Sequence, residues 1–341
     1  MEIIVPAAGK STRYSSGKPK YLLYDYKGRL ALDNVVRPYY EAGYLVTVVI
    51  LKEHDQLFRA SEHIRKATSD KVRIVVLDEP TSGPAETVYL GLSHVKGPFM
   101  VKDCDNFFLH PRLPTDANLV YVSTLENVNN PTSKSFVLSN EKNLITSIVE
   151  KKVVSDLFAC GGYVFSNVQE YETAFEEVSK IASNEVFVSH VINYMIHFMG
   201  KVFTAEPVTN LVDLGTQKEW DEWNYRPTIF CDIDGTLVWS KDRLSYDTPW
   251  EALENNLAIL LNRLAAGWQI VFTTARPESA RQVTRQMLDD LGFKDCQLIM
   301  GLHNSKRILI NDYNTTTNKY PTAIAYNIFR DSDQLPLMGN I

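Results

Sequence analysis

Short apolar runs alternate with longer amphipathic stretches through the first two-thirds of the chain. Glu2–Pro6, Leu45–Leu51, Val72–Leu77, Phe99–Lys102 and Asn118–Thr124 have the pattern of strands. Between them, Leu32–Gly43 and Thr87–His94 read as helices. Such alternation predicts a mixed, mainly parallel sheet with helices on both faces. Ala159–Phe165 is again strand-like and Val186–Met199 helical. The polar, aromatic stretch Asp221–Pro227 then interrupts the pattern, and its proline precedes a new buried strand. A second α/β pattern follows: strand Thr228–Cys231, helix Trp250–Ala266, strand Gln269–Thr273, helix Arg281–Leu291 and strand Ile308–Ile310. The expected architecture is therefore two α/β domains, residues 1–223 and 227–341, with Trp220, Trp223 and Tyr225 packing them together.

Composition narrows the classes. A chain of 341 residues suits two domains, and 45% hydrophobic with 22% charged residues is ordinary for a globular protein. The net charge of -6, with no compensating basic block, argues against nucleic acid as the main partner. No apolar run approaches the ~20 residues that span a bilayer, and MEIIVPAAG lacks the basic start of a signal peptide. Cys104, Cys160, Cys231 and Cys296 are scattered without a CxxC pair, which suits reduced thiols and a cytoplasmic location. The oligomeric state stays open, a homo-oligomer included.

The densest chemistry lies in FCDIDGTLV, Phe230–Val238. A strand there ends in Asp232 and Asp234, which alternation puts on one face before Gly235 turns the chain. Two like charges so placed, without a countercharge, favour a divalent cation between them. One carboxylate would then attack phosphorus while the other handles the leaving group's proton. Thr274 stands at the end of the next strand, Lys306 precedes Ile308–Ile310, and Asn311 and Asp312 follow it. Parallel strands bring such ends to one edge of the sheet.

In this order the last third of the chain resembles the haloacid dehalogenase-like phosphatases. The resemblance implies a small Rossmannoid domain with Asp232 as nucleophile, forming an aspartyl-phosphate, and Asp234 as general acid/base. It also implies Mg²⁺ on Asp232, the Ile233 carbonyl, Asp234 and Asn311 or Asp312, with Thr274 holding the phosphoryl group and Lys306 as stabilising cation. The spacings from Thr236 to Thr274 and on to Lys306 leave no room for a cap domain.

The first domain opens with EIIVPAAGKSTRYSSGKPK, a strand, a small-residue loop and a basic tail. Ala7, Ala8 and Gly9 let the backbone approach a ligand, and Arg13 and Lys20 can neutralise a triphosphate. It is no Walker loop, since Ile4 stands where the leading glycine belongs. Downstream, Asp103-Cys104-Asp105 follows a strand, a carboxylate pair suited to Mg²⁺. Cys104 between them is expected to point into the core. Glu79–Ala85 is a turn entering a helix, Glu150-Lys151 ends a strand, and Asp213 sits at another strand end.

Residues 1–220 thus resemble the nucleotidyltransferases that make NDP-sugars and related activated alcohols. The resemblance implies an NTP over Ala8, Gly9 and Arg13, with Lys20 stabilising the charge that moves onto pyrophosphate. Gly83 and Ala85 would contact the base, cytosine or uracil by preference. Asp105 and Asp213 would hold Mg²⁺, while Glu150, Lys151 and Gly162 face a sugar or alcohol phosphate.

Together the two resemblances imply a bifunctional enzyme running consecutive steps toward an activated precursor of a surface polysaccharide. Two other readings predict different observables. A nucleic-acid end-processing phosphatase would show a basic groove and salt-sensitive oligonucleotide binding. A nucleotide- or sugar-phosphate-binding regulator with one inactive domain would bind without turnover, which Asn311, in place of the family's usual aspartate, would fit.

Overall fold

The computed structural model describes residues 1–9, 17–109, 113–127, 131–240, 246, 249–311 and 323–337. Arg13 and Asp312 lie outside these residues. The chain divides into two compact units, Met1–Asn224 and Tyr225–Ile341.

In the first unit the strands are β1 (Glu2–Ala7), β2 (Leu45–Leu51), β3 (Arg73–Leu77), β4 (Phe99–Lys102), β5 (Asn106–Leu109), β6 (Asn118–Thr124), β7 (Ser135–Ser139), β8 (Ile145–Glu150), β9 (Leu157–Phe165), β10 (Phe203–Pro207) and β11 (Thr209–Asp213). Its helices are α1 (Ala31–Glu41), α2 (Lys52–Phe58), α3 (Ala60–Thr68), α4 (Pro84–Gly91), α5 (Val168–Ile181), α6 (Val188–His197) and α7 (Gln217–Asn224). Among the described residues, nine strands form one sheet whose main path runs β10-β6-β9-β4-β1-β2-β3, with the β7–β8 hairpin attached through β9. The pairs β1–β2, β2–β3, β1–β4 and β6–β10 are parallel, whereas β9 runs antiparallel to β4 and β6.

The period of two in the strands divides the core. Ile3, Val5, Val46, Val48 and Ile50 bury one face against α1 and α3 through Leu32, Val35, Val36 and Ile64. Ile4, Val49 and Val101 bury the other against α4, α5 and α6 through Val88, Tyr171 and Ile192. Helix α4 lies very close to the sheet at Gly91. A Cβ there would come within 2.7 Å of Val49 Cγ2 and 3.2 Å of Ile4 Cγ2. Gly91→Val should overpack this contact and lower stability by about 1–3 kcal/mol, read from chemical denaturation of the purified protein.

Trp220 and Trp223 were expected to join the domains. Both belong to a small cluster in the first unit with Ala31, Leu214, Leu23, Phe107 and Val212. Tyr225 meets Trp268 edge-on within the second unit, ring centroids 5.9 Å apart.

The second unit holds β12 (Thr228–Asp232), β13 (Gln269–Thr273) and β14 (Gln297–Ile299), all parallel in that order, with α8 (Glu254–Ala265) and α9 (Arg281–Asp290). Its core gathers Ile233, Leu237, Leu260, Phe272, Leu288 and Phe293. The expected strand Ile308–Ile310 is not formed. Those residues are 85%, 61% and 90% exposed, and no ladder pairs them among the described residues. The third strand is Gln297–Ile299, which gains its register from β13. An apolar run becomes a strand only where a neighbour offers its backbone groups. No helix among the described residues is long and apolar enough to cross a membrane.

Candidate functional site

Parallel strands β1 and β4 end at the same edge of the first unit's sheet, and a cleft of about 760 Å³ opens there. The loop leaving β1 contributes Ala8 and Gly9, the turn after β4 contributes Asp103–Asn106, and Gly83 stands at the start of α4. Lys20, Glu150, Lys151 and Asp213 complete the expected members of this wall.

Asp105 and Asp213 are far apart in sequence but are brought together by the β5–β11 ladder. That pairing sets Asp213 opposite Asn106, and the Leu214 N–H donates to the Asp105 carbonyl at 2.8 Å. The two carboxylates converge beside Gly215. The position a Cβ would take at Gly215 is 3.1 Å from Asp213 Oδ1 and 3.4 Å from Asp105 Oδ2. Hard oxygen donors gathered in one corner of the cleft suit Mg²⁺, and Glu219 Oε2 is 3.7 Å from the same position. Among the described residues no group of three or more His, Cys, Asp or Glu could hold a metal by itself. An ion here would thus rely on two carboxylates with substrate phosphates and water, the usual habit of Mg²⁺.

The charges around this point are ordered by lysines. Lys20 donates to Asp105 Oδ2 and Lys134 to Asp213 Oδ2. Asp105 is held well below the usual carboxylate range. Burial alone would raise it, but Lys20 above all, with Lys134 and Lys102, outweighs that effect. Burial pushes the Asp103 carboxyl up to about 6, with the Asp105 charge adding to the rise. Burial likewise pushes the Cys104 thiol up to about 12, and the side chain packs against the core, so it is no nucleophile.

Beneath the turn lies Lys102, 1% exposed, whose ammonium donates to the Asn106 side chain and to the carbonyls of Asn106, Asp103 and Gly161. Burial lowers its pKa. This one side chain ties the Asp103–Asn106 turn to β9. Gly161, at φ +74°, makes that close approach feasible: a Cβ there would come within 2.5 Å of Asp103 Oδ2 and Asn106 Nδ2. The β9 register against β6 shifts across the same residues, a bulge of the kind that re-aims backbone beside active sites.

Two expected contacts fall outside the wall. Gly162 turns toward the core, where an added Cβ would meet Phe108, Tyr121 and Met100. Its neighbour Gly161 lines the cleft instead. Ala85 is buried, and its backbone is spent inside the protein: the N–H donates to the Val186 carbonyl and the carbonyl accepts from Tyr171. Glu150 lines the cleft but is braced, accepting from the hydroxyls of Ser135 and Ser189. Lys151 carries its ammonium 4.6 Å from the centroid of the Phe187 ring.

In the second unit, Asp232 is exposed at the end of β12, with Arg307 Nη2 3.8 Å from its Oδ1. Lys306, the expected cation, lies exposed in the same irregular segment as Arg307. Asp234 does have a countercharge. Arg276 grips both its oxygens, at 2.7 Å from Nη2 and 3.0 Å from Nε, with the pair 7% and 11% exposed. Thr274 is buried, its hydroxyl donating to Asp234 at 3.4 Å and accepting from the Arg276 N–H. Asn311 is exposed. The guanidinium thus occupies the carboxylate expected to share an ion with Asp232, and among the described residues Asp234 is no ligand for Mg²⁺.

Residues 3–116 match the model of the family described as the MobA-like NTP transferase domain. The matched residues lie inside the first unit and span about a third of the chain. Among solved structures, the nucleoside-diphosphate-sugar pyrophosphorylase from Vibrio cholerae RC9 is similar, with 21% identity and a TM-score of 0.56 over 66% of this chain and 100% of that one. The inositol-1-phosphate CTP transferase from T. maritima shares 17% identity and a TM-score of 0.52, over 64% of this chain and 90% of that one. At these identities the likeness shows the fold. No curated protein matches. The match to the transferase domain ends at residue 116 and leaves the second unit unassigned.

Proposed function

We propose that the first unit transfers a nucleotidyl group from an NTP to the phosphate of a sugar or alcohol phosphate and releases pyrophosphate. The observation that carries this reading is the convergence of Asp105 and Asp213, next to Lys20, at the sheet edge where the Ala8–Gly9 loop begins. An acceptor phosphate oxygen attacks the α-phosphorus, and the bond from that phosphorus to the oxygen it shares with the β-phosphorus breaks. The electron pair leaves with pyrophosphate, where Lys20 and Arg13 take up the charge. Mg²⁺ held by Asp105 and Asp213 would supply further neutralisation at the phosphates. Catalysis is then positioning and electrostatics rather than proton transfer. Lys151 sits on the wall that would face the acceptor, and Thr81–Gly83 on the wall that would face the base. CTP or UTP is the proposed donor, and the T. maritima neighbour, a CTP transferase by name, supports cytosine. Pyrophosphate release should require both one pyrimidine NTP and a sugar or polyol phosphate. Release from an NTP alone, or equal release with all four NTPs, would contradict the reading.

For the second unit we propose phosphomonoester hydrolysis, with the Asp232 carboxylate attacking phosphorus and the alcohol leaving, before water cleaves the aspartyl-phosphate. Exposure of Asp232 at a strand end beside Arg307 supports it. Two such steps in one chain would suit supply of an activated polysaccharide precursor. The Arg276–Asp234 pair favours a second reading, a ligand-binding unit without turnover. Phosphate release from a panel of phosphomonoesters, compared between the wild type and Asp232→Asn, decides between them: activity lost in the variant supports hydrolysis, and silence in both supports binding alone.

A further inference from the structure

The two oxygens that would share a divalent ion belong to carboxylates that are already hydrogen-bonded on both sides. Asp213 accepts from Lys134 on Oδ2 and from the Gly215 N–H at 3.0 Å on Oδ1. Asp105 accepts from Lys20 on Oδ2 and from the Asn106 amide at 3.3 Å on Oδ1. The four charged side chains are only 14–20% exposed. Charge is thus balanced locally, one ammonium per carboxylate. An ion entering alone would place a double positive charge beside two ammonium groups in a partly dry site. A charge at such range shifts a carboxylate's proton equilibrium by about one to three decades, and a divalent cation seeking the same oxygens meets the same ammonium.

Lys20 lies in the basic segment already assigned to the triphosphate. Lys134 has no such assignment. It leads into β7, 79 residues from Asp213 along the chain. Its backbone is fixed, since its carbonyl accepts from the Lys151 N–H at 2.8 Å, so the side chain is the part free to swing. Its charge also acts on Asp105 and Asp103, which places its influence at the centre of the cleft and not only on Asp213.

We propose that Lys134 guards the metal site: its ammonium competes with a divalent ion for Asp213 and yields when a polyphosphate arrives to receive it. The second clause rests on the reading of the cleft as an NTP site; the first does not. Guarding makes ion and triphosphate bind as a unit. It disfavours an ion held without nucleotide, and it delivers a further cation to the triphosphate at the moment the ion displaces it.

The test is Mn²⁺ binding to the full chain, followed by electron paramagnetic resonance, first with the ion alone and then with inorganic triphosphate. Lys134→Gln should tighten binding of Mn²⁺ alone by about tenfold or more, and Lys134→Arg, which keeps the charge, should not. Asp213→Asn in the Lys134→Gln background should abolish the gain, locating it at this site. Thermal melting of each variant verifies that it is folded. Unchanged or weaker binding of Mn²⁺ alone by folded Lys134→Gln overturns the guard, whatever triphosphate does. Tighter binding by the variant, with triphosphate lacking effect on the wild type, upholds the guard and counts against the NTP reading instead.

Discussion

Replacing Asp105 by asparagine should lower the turnover number for pyrophosphate release by about a hundred- to a thousandfold and leave the protein folded. Asparagine keeps the shape of the side chain, and the turn itself is held from below by Lys102 through carbonyls the substitution does not touch. What disappears is the negative charge that faces Asp213 across the point beside Gly215 and that Lys20 neutralises. Lys20 then loses its fixed partner and is no longer aimed. Both consequences bear on charge that develops during the reaction, so the loss should fall on kcat more than on KM for the NTP. Steady-state kinetics with saturating acceptor measure the split. A change confined to KM would assign Asp105 to ground-state binding alone.

Arg276→Ala should destabilise the second unit by about 3–5 kcal/mol, the usual cost of removing one partner from a buried ion pair. The guanidinium donates to both oxygens of Asp234 and to Thr284 Oγ1 at 3.2 Å, and it lies 3.8 Å from Met287 Sδ. Truncation leaves Asp234 charged in a site with 11% exposure and opens a void against α9. Urea denaturation followed by the fluorescence of Trp239, Trp250 and Trp268 reports on this unit alone when Trp220 and Trp223 are replaced by phenylalanine. Arg276→Ala combined with Asp234→Ala should recover part of the loss, because the stranded charge is gone. Equal stability of wild type and Arg276→Ala would mean that the pair does not form.

Strands that are buried along most of their length were legible in the sequence. β2, β4 and β6 appear at the expected residues because continuous β-branched and aromatic runs leave few alternatives. The boundaries of α1, α4 and α8 moved by a few residues, as caps decide ends more than periodicity does. Helix α5 was missed although a signal was present: Asn167 caps it by accepting from the Glu170 N–H at 3.1 Å. β14 was missed because it is three residues long and only partly buried. Ile308–Ile310 misled for the converse reason, being apolar without a pairing strand among the described residues.

The site divides in the same way. Asp105, Asp213 and Lys20 were visible because chemistry at a strand end or after a small-residue loop has a positional signature. Lys134 has none: a lysine entering a hairpin looks like any solvated charge until the fold carries it onto Asp213. Arg276 stands inside the strand-end motif, where an arginine after a strand looks like any solvated charge; the fold buries it on Asp234, with its backbone N–H donating to the buried Thr274 hydroxyl. Gly161 and Gly162 are adjacent and indistinguishable in sequence; only the bulge in β9 turns one toward the cleft and the other toward the core.

The reaction proposed for the first unit's cleft is attack of an acceptor phosphate on the α-phosphorus of an NTP. Phosphorus NMR with an acceptor whose phosphate is labelled with heavy oxygen tests it directly. The expected result is one pyrophosphate per product diphosphate, the label in the product including its bridging oxygen, and none in pyrophosphate. Label appearing in pyrophosphate, or an acceptor that remains a monoester while the NTP is consumed, would contradict it.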